Sequence, residues 1–301
     1  MSDQRLRIAA AQFPVLDLHD WEAMALTLSQ WVAEATAQGA QLLVFPEYAA
    51  MSLAALGGAS VKGRLHEELR AVQPFHSDWL ALHGQLAQRH QVHILAGSFP
   101  IEVGDQIYRN RAHLFAPSGK QGWQDKWTMT RFETERWGIS GGDALKVFDT
   151  TLGRIAVNIC YDVEFPLLAR AQVEAGAQVI LAPSCTDTTA GYWRVRVGAH
   201  ARALENQCVV VQAPLVGEAP WSACVDVNVG AAGVYTPPDR GLPDDGVLAA
   251  GEWNALQWVY AEVDPARLAA VRADGQVFNH RDWARQPGLG PRPTITIEDL
   301  R

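Results

Sequence analysis

Three residues capable of chemistry stand at the ends of predicted strands. Glu47 comes after the apolar run 42–45 and a proline, Lys126 ends the predicted strand 121–126 between aromatic residues, and Cys160 ends the apolar run 153–159. A carboxylate can act as a general base, a lysine among apolar groups can stabilise an oxyanion, and a thiol can attack an sp2 or sp carbon. Each alone has a simpler explanation: a loop charge, a surface lysine or a buried apolar thiol. Together they supply a carboxylate, a cation and a nucleophile at three predicted strand ends.

The composition is that of a globular protein with a sizeable core. Of the 301 residues, 48% are hydrophobic and 19% are charged. The formal charge of −8 arises from 33 acidic and 25 basic residues without a basic stripe, so we expect no nucleic-acid partner. The sequence has no apolar run of about 18 residues, and residues 1–5 lack the apolar stretch of a signal peptide. We therefore expect a cytoplasmic protein without a membrane partner.

The cysteines argue against a disulfide framework and against structural zinc. They lie in apolar surroundings, and no two of them form a Cys-x-x-Cys pair. We expect reduced thiols and no metal site. The four are Cys160, Cys185, Cys208 and Cys224.

Short apolar strands alternate with amphipathic helical stretches along the chain. Helices are predicted over 19–38, 76–90, 167–174 and 192–205, with a further one starting at Asp264-Pro265. Strands are predicted over 6–13, 41–46, 92–99, 107–116, 121–126, 146–150, 153–159, 178–183, 208–213, 225–229, 233–236 and 256–263. This alternation predicts one α/β domain, 1–285, with helices covering its sheets from outside. The Pro- and Gly-rich residues 286–301 are expected to form an extended arm.

Five motifs in chain order resemble the nitrilase superfamily of carbon–nitrogen hydrolases. They are the opening strand 9–14, Phe-Pro-Glu at 45–47, Asp-Lys at 125–126, the nucleophile turn 160–166 and Arg-Ala-Leu-Glu-Asn at 202–206. The resemblance implies a four-layer α-β-β-α sandwich of the α/β class. It further implies Glu47 as general base, Lys126 as cation and Cys160 as nucleophile, with no cofactor. The backbone N–H of Tyr161, which follows the nucleophile, is expected to share the oxyanion with Lys126.

Relatives of this type carry a second glutamate a few residues before a Gly-Asp pair. Here Gly142-Asp143 places Glu135 in that position, where it would hold the substrate or support the base. Glu133 competes for the same role. The spacing back to Lys126 does not decide between them, and we favour Glu135.

Residues near the motifs bear on the substrate. Tyr161-Asp162 follows the cysteine, as in the amidase and carbamoylase branches, where nitrilases usually have Trp-Glu, so an amide is favoured over a nitrile. Glu164 stands where decarbamoylating relatives tend to place an arginine, which leaves Arg131 or Arg194 to bind any substrate carboxylate. The predicted pocket residues flank the motifs: Tyr48, Trp127, Phe132, Glu164, Phe165, Cys185 and Trp193.

The sequence therefore predicts a hydrolase that cleaves a small amide through a thioester on Cys160. Two alternatives within the same fold are a nitrilase and an acyltransferase, and a third is a catalytically silent binding or scaffold protein. The presence of Glu47, Lys126 and Cys160 together argues against a silent protein. A homodimer or higher homo-oligomer is expected from the resemblance alone.

Overall fold

The computed structural model describes residues 5–286, so the predicted arm lies outside the described residues apart from residue 286. The strands are β1 Leu6–Pro14, β2 Leu42–Val44, β3 His93–Gly104, β4 Ile107–Phe115, β5 Gln121–Asp125, β6 Ile139–Ser140, β7 Val147–Thr150, β8 Gly153–Val157, β9 Val179–Ser184, β10 Val209–Glu218, β11 Val227–Asn228, β12 Gly233–Tyr235, β13 Val247–Ala250 and β14 Gln257–Val263. The helices are α1 Trp21–Ala37, α2 Leu65–Val72, α3 His76–His90, α4 Pro166–Glu174, α5 Thr189–Asn206, α6 Pro265–Asp274 and α7 Asn279–Asp282. Within 5–286, no helix is long and apolar enough to cross a membrane.

The strands build two similar sheets joined along one short seam. The first sheet runs in the order β14, β1, β2, β3, β4, β5, and the second in the order β7, β8, β9, β10, β12, β13. Each has parallel strands at its centre and antiparallel strands at its edges. The sheets meet where the end of β1 pairs in parallel with β10, Phe13 opposite Leu215 and Pro14 opposite Val216.

Alternating side chains of β1 show how the layers are stacked. Ile8 and Ala10 belong to the core shared with the second sheet, whereas Ala9 and Ala11 pack in a separate core with Met24 of α1. Because neighbouring side chains of a strand point to opposite faces, the first sheet is buried on both sides. Helices α4 and α5 contribute apolar residues to the core of the second sheet. The predicted four-layer α-β-β-α sandwich is thus confirmed.

Most predicted elements match the structure, and α3 has the predicted bounds 76–90. The structure adds α2, β6, β13 and a 3-10 segment, Ala49–Ser60, which is buried over its first half and lacks an amphipathic period. Strand β2 ends at Val44, two residues earlier than predicted, because the chain turns away from the sheet at Pro46. That turn is what carries Glu47 out of the strand.

A bulge in β3 holds the segment that carries Glu47. The register of β3 shifts between Leu95 and Ser98, where Gly97 adopts a positive φ of 72°. Beside it, the Ser98 N–H donates to the carbonyl oxygen of Pro46 at 3.2 Å, and the Tyr48 N–H donates to Ser98 Oγ at 2.9 Å. A Cβ atom at position 97 would overlap the Pro46 carbonyl oxygen. Only glycine fits this approach of β3 to the turn after β2.

We predict that Gly97→Ala lowers the free energy of unfolding by about 2 to 5 kcal/mol, since it combines a strained positive φ with overpacking. The matched control is Gly104→Ala at the exposed end of β3, where a Cβ would make ordinary contact with Ile107 at 3.8 Å. That control should change stability by less than about 1 kcal/mol. Urea unfolding of both variants measures the difference, and equal stabilities would contradict this account of the bulge.

Candidate active site

The three predicted chemical residues meet in one cavity. Glu47 follows β2, Lys126 follows β5 and Cys160 follows β8, so each lies just beyond the end of a strand. Their exposed fractions are 1%, 1% and 4%. All three line a cavity of about 700 Å³, which is large enough for a small organic molecule. Glu47, Lys126 and Cys160, which were predicted at three strand ends, thus line the same cavity, and their chemical roles stay predictions.

The turn at Cys160 is strained and firmly anchored. Cys160 has a φ of 49°, an unusual value for a residue with a side chain, and it begins the 3-10 segment Cys160–Glu164. The buried Asp162 carboxylate accepts hydrogen bonds from the backbone N–H groups of Trp127 at 3.1 Å, Thr128 at 2.7 Å and Ile159 at 3.3 Å. Asp162 thereby ties the cysteine turn to the segment that carries Lys126.

Lys126 forms a buried double ion pair. Its Nζ lies 2.8 Å from Glu47 Oε1 and 2.6 Å from Glu133 Oε2, and none of the three side chains is more than 4% exposed. Buried charges are stable only when they are paired and hydrogen-bonded. Two carboxylates around one ammonium leave an excess negative charge, so one carboxylate is favoured to hold a proton.

Glu133, and not Glu135, is the second glutamate of the cavity. Besides Lys126, Glu133 accepts hydrogen bonds from the Tyr48 hydroxyl at 2.7 Å and the Thr130 N–H at 2.8 Å. The Glu135 side chain is 53% exposed and pairs with Arg131 in solvent at 2.8 Å. Our preference for Glu135 is therefore wrong. The physical reason is the π-helical turn Glu133–Trp137, which buries its two end residues and turns Glu135 outward.

Asn110 of β4 is a site residue that our sequence reasoning missed. It is fully buried, and its Nδ2 donates to Glu47 Oε1 at 2.8 Å and to Glu133 Oε1 at 3.2 Å. A signal was present in the sequence. In the predicted strand 107–116, position 110 shares the inward face with Tyr108 and Ala112, and a polar residue on a buried strand face needs a partner.

The electrostatics separate the roles that the two carboxylates can take. Burial raises the pKa of Glu47 to about 7, with Lys126 acting in the opposite direction. Burial also opposes ionisation of Glu133, but Lys126 and the donors from Tyr48 and Thr130 outweigh it and lower the pKa of Glu133. For Lys126, burial is outweighed by Glu133 and Glu47, which raise its pKa well above the ordinary value. Glu47 can thus exchange a proton near neutral pH while Glu133 and Lys126 stay charged.

The pKa of the Cys160 thiol also bears on its chemistry. Burial raises this pKa well above its ordinary value, and the neighbouring Glu47 raises it further, although Lys126 acts in the opposite direction. The resting group is therefore a neutral thiol. It needs a base in order to attack, and Glu47 is the titratable neighbour with a pKa in the right range.

Of the predicted pocket residues, some line the cavity and others do not. Tyr48, Phe132, Glu164 and Cys185 line it, as does Tyr161. Three predictions are corrected because the side chains lie elsewhere. Trp127 is 39% exposed, Trp193 is 50% exposed on the outer face of α5, and Phe165 packs against the Tyr161 ring at 4.8 Å without reaching the cavity.

The cavity has further walls that the motifs did not indicate. Trp137 lines the cavity, and so do residues of the segments 185–195 and 223–228. Both arginines proposed for carboxylate binding line the cavity. Each has an acidic neighbour: Arg131 pairs with Glu135 at 2.8 Å, and Arg194 lies 3.9 Å from Glu164.

Comparisons with known proteins place the chain among enzymes that act on carbon–nitrogen bonds. The sequence model of the family described as carbon-nitrogen hydrolase matches residues 7–273. A protein of Bacillus subtilis (strain 168) named probable hydrolase YhcX is 33% identical over 93% of this chain, which spans only 54% of that relative's length. A deaminated glutathione amidase of Synechocystis is 30% identical over 82% of this chain and 88% of the relative.

The fold has solved counterparts as well. The crystal structure of Saccharomyces cerevisiae Nit3, described as a member of branch 10 of the nitrilase superfamily, superposes with a TM-score of 0.71. It covers 90% of this chain and 94% of Nit3 at 21% sequence identity. At 21% sequence identity, this comparison shows that the two proteins share a fold.

We predict that neutralising Glu133 changes the pH dependence of Cys160 reactivity and that neutralising Glu135 does not. Glu133→Gln removes a negative charge that raises the pKa of Glu47, so the pH at which Cys160 becomes reactive should move downward. Glu135→Gln, the matched control on the solvent side of the same turn, should leave it unchanged. The measurement is the rate of Cys160 alkylation by iodoacetamide between pH 5 and 9, followed by peptide mass spectrometry. If only the Glu135→Gln variant shifted the pH profile of alkylation, Glu135 and not Glu133 would be the second glutamate of the site.

Proposed function

The chain belongs to the carbon-nitrogen hydrolase family, as the order of its motifs predicted, and from this premise we propose that it hydrolyses a small amide through a thioester on Cys160. The observation that carries the proposal is the Lys126 ammonium, held 2.8 Å from Glu47 and 2.6 Å from Glu133 in the cavity that Cys160 lines. A base, a cation and a thiol that line one cavity are the components of acyl transfer. The amidase activity named for the Synechocystis relative supports an amide as the substrate class.

In the first half-reaction, Cys160 Sγ attacks the amide carbon while the Glu47 carboxylate takes the thiol proton. Negative charge then develops on the former carbonyl oxygen. The Lys126 ammonium stabilises that charge, and so does the backbone N–H of Tyr161, because the first N–H groups of a helical segment have no partner within the segment. Protonated Glu47 donates its proton to the leaving nitrogen, the carbon–nitrogen bond breaks, and the acyl group remains on sulfur.

In the second half-reaction, water replaces the departed amine. Glu47, again a carboxylate, takes a proton from this water as its oxygen attacks the thioester carbon. The second tetrahedral species collapses, the carbon–sulfur bond breaks, and Glu47 returns its proton to the Cys160 sulfur. One base serves both steps, which requires a pKa near the working pH, and burial gives Glu47 a pKa of about 7.

Glu133 has a supporting role in this proposal. Its lowered pKa keeps it ionised, so that it holds Lys126 in the charged form needed to stabilise the oxyanion. Its negative charge also helps to raise the pKa of Glu47. Glu133 thus acts on the reaction through its two neighbours and does not need to touch the substrate.

We predict that the wild-type protein releases ammonia or amine from members of a small-amide panel and forms a hydroxamate when hydroxylamine is added. Cys160→Ala and Glu47→Gln should each reduce this activity by at least about a thousandfold with the fold intact. Enzyme-coupled ammonia detection and mass spectrometry of the acyl adduct on Cys160 are the measurements. Equal activity of the Cys160→Ala variant would overturn the mechanism.

The same panel separates the alternatives. Turnover of nitriles without turnover of amides would identify a nitrilase, and hydroxamate formation without hydrolysis would identify an acyltransferase. No turnover and no adduct with any substrate, together with no difference from Cys160→Ala, would identify a silent binding protein. Each result is distinguishable from the amidase outcome.

We also propose a cytoplasmic homo-oligomer, a homodimer or larger. In support of self-association, α5 exposes three apolar side chains along one stripe: Trp193 at 50%, Val197 at 62% and Leu204 at 40%. Positions 193, 197 and 204 are separated by four and seven residues, which places them on one face of the helix.

We predict that light scattering finds at least twice the mass of one chain. Val197→Glu should reduce this mass, because it places a charge in the apolar stripe. Val103→Glu, on the 43%-exposed end of β3, serves as the matched surface control and should not change the mass. A monomeric wild-type protein would contradict the proposal.

A further inference from the structure

One fully buried residue, Asn110, is hydrogen-bonded to both carboxylates of the site through its side chain and to Lys126 through its main chain. The Asn110 Nδ2 atom donates to Glu47 Oε1 at 2.8 Å and to Glu133 Oε1 at 3.2 Å. The main-chain carbonyl oxygen of Asn110 accepts the backbone N–H of Lys126 at 2.8 Å. A single residue therefore fixes the side chains of both carboxylates and the main chain that carries their cation.

The orientation of the Asn110 amide is set by its surroundings. Carboxylate oxygens accept hydrogen bonds and do not donate them when ionised. Turning the amide over would place its oxygen against the two carboxylates, so the NH₂ group must face Glu47 and Glu133.

The two oxygens of Glu47 have different environments. Oε1 receives two donors, Asn110 Nδ2 at 2.8 Å and Lys126 Nζ at 2.8 Å. Among residues 5–286, neither of these donors contacts Oε2. The Cys160 Sγ donates to the Cys185 carbonyl oxygen at 3.7 Å and lines the same cavity as Glu47. An oxygen that already accepts two hydrogen bonds is a poor proton acceptor, so the proton goes to the other one.

We propose that Asn110 is a positioning residue: together with Lys126 it occupies Oε1 of Glu47 and so leaves Oε2 as the oxygen that exchanges a proton with Cys160. The inference rests on the proposed function and adds to it the identity of the basic oxygen and the residue that selects it.

A neutral donor suits this task better than a second cation. Another ammonium or guanidinium beside Glu47 would lower its proton affinity by Coulombic attraction, and the carboxylate would become a weak base. An amide supplies one directed hydrogen bond without a net charge. Asn110 also sits inside β4, where it pairs with Pro100 of β3, so its position is fixed by the sheet.

The test uses Asn110→Leu, which removes the donor at similar volume, and Asn110→Asp, which keeps the shape and adds a negative charge. Both changes disfavour the ionised form of Glu47. The acidic limb of kcat/KM should therefore move to higher pH by about one to two units. With a pKa near 7 in the wild type, this shift reduces the rate at pH 7 by about fivefold to fiftyfold.

The control is Asn206→Leu, which removes another fully buried amide; within residues 5–286 its Nδ2 bonds to Arg202 and Glu205 of α5 and to no other residue. In the Asn206→Leu variant, the acidic limb of kcat/KM should stay at the wild-type pH. Circular dichroism and thermal midpoints accompany each variant, and Asn110→Asp carries the comparison if Asn110→Leu does not fold.

The pH profile of Cys160 alkylation by iodoacetamide is a second readout that needs no substrate. It should shift upward in the Asn110 variants by the same amount as the kinetic limb. If the wild type turns over no amide while this alkylation profile shifts, the proposed function fails and the positioning role of Asn110 stands. If folded Asn110→Leu and Asn110→Asp variants keep the wild-type limb in both assays, Asn110 is a structural residue only and the inference is overturned.

Discussion

The buried ion pair of one ammonium with two carboxylates is the constraint on which the site depends. The side chains of Lys126, Glu47 and Glu133 are almost completely buried, and an unpaired charge at such a place would be strongly destabilising. The pairing fixes the positions of all three side chains. Burial raises the pKa of Glu47 to about 7, with Lys126 acting in the opposite direction and the charge of Glu133 raising it further. The buried cluster therefore holds a carboxyl group that titrates near neutral pH, as the proposed acyl transfer requires.

The fold serves this cluster by ending several strands at one place. Strands β2, β5 and β8 belong to two different sheets, and each stops immediately before a residue of the site or one turn from it. The glycine bulge of β3 and the Asp162 carboxylate hold the connecting turns at fixed distances. The left-handed conformation of Cys160 is sustained by this surrounding framework. The sheets thus fix the positions of Glu47, Lys126 and Cys160, although these residues lie just outside the strands.

The cavity has a buried floor that carries the chemical groups and a more exposed mouth that carries charges of both signs. The floor is the buried cluster with Cys160, whereas the mouth has Arg131 and Arg194 beside Glu164, Asp187 and Asp226. A charged mouth of both signs suits a polar small molecule. Substrate choice is therefore expected to reside in the segments 185–195 and 223–228, which are separate in sequence from the residues of the ion-pair cluster.

Apolar periodicity in the sequence predicted one α/β domain and most of its strands and helices. The resemblance of short motifs to the nitrilase superfamily implied the four-layer sandwich and singled out Glu47, Lys126 and Cys160. Only the tertiary structure decided between Glu133 and Glu135, because a π-helical turn reverses which of the two faces inward. It alone brought Asn110 to both carboxylates and turned Trp127, Phe165 and Trp193 away from the cavity. The reason is physical: strand periodicity shows that a side chain is buried, but its partners lie far away in sequence and are set by the packing of the two sheets.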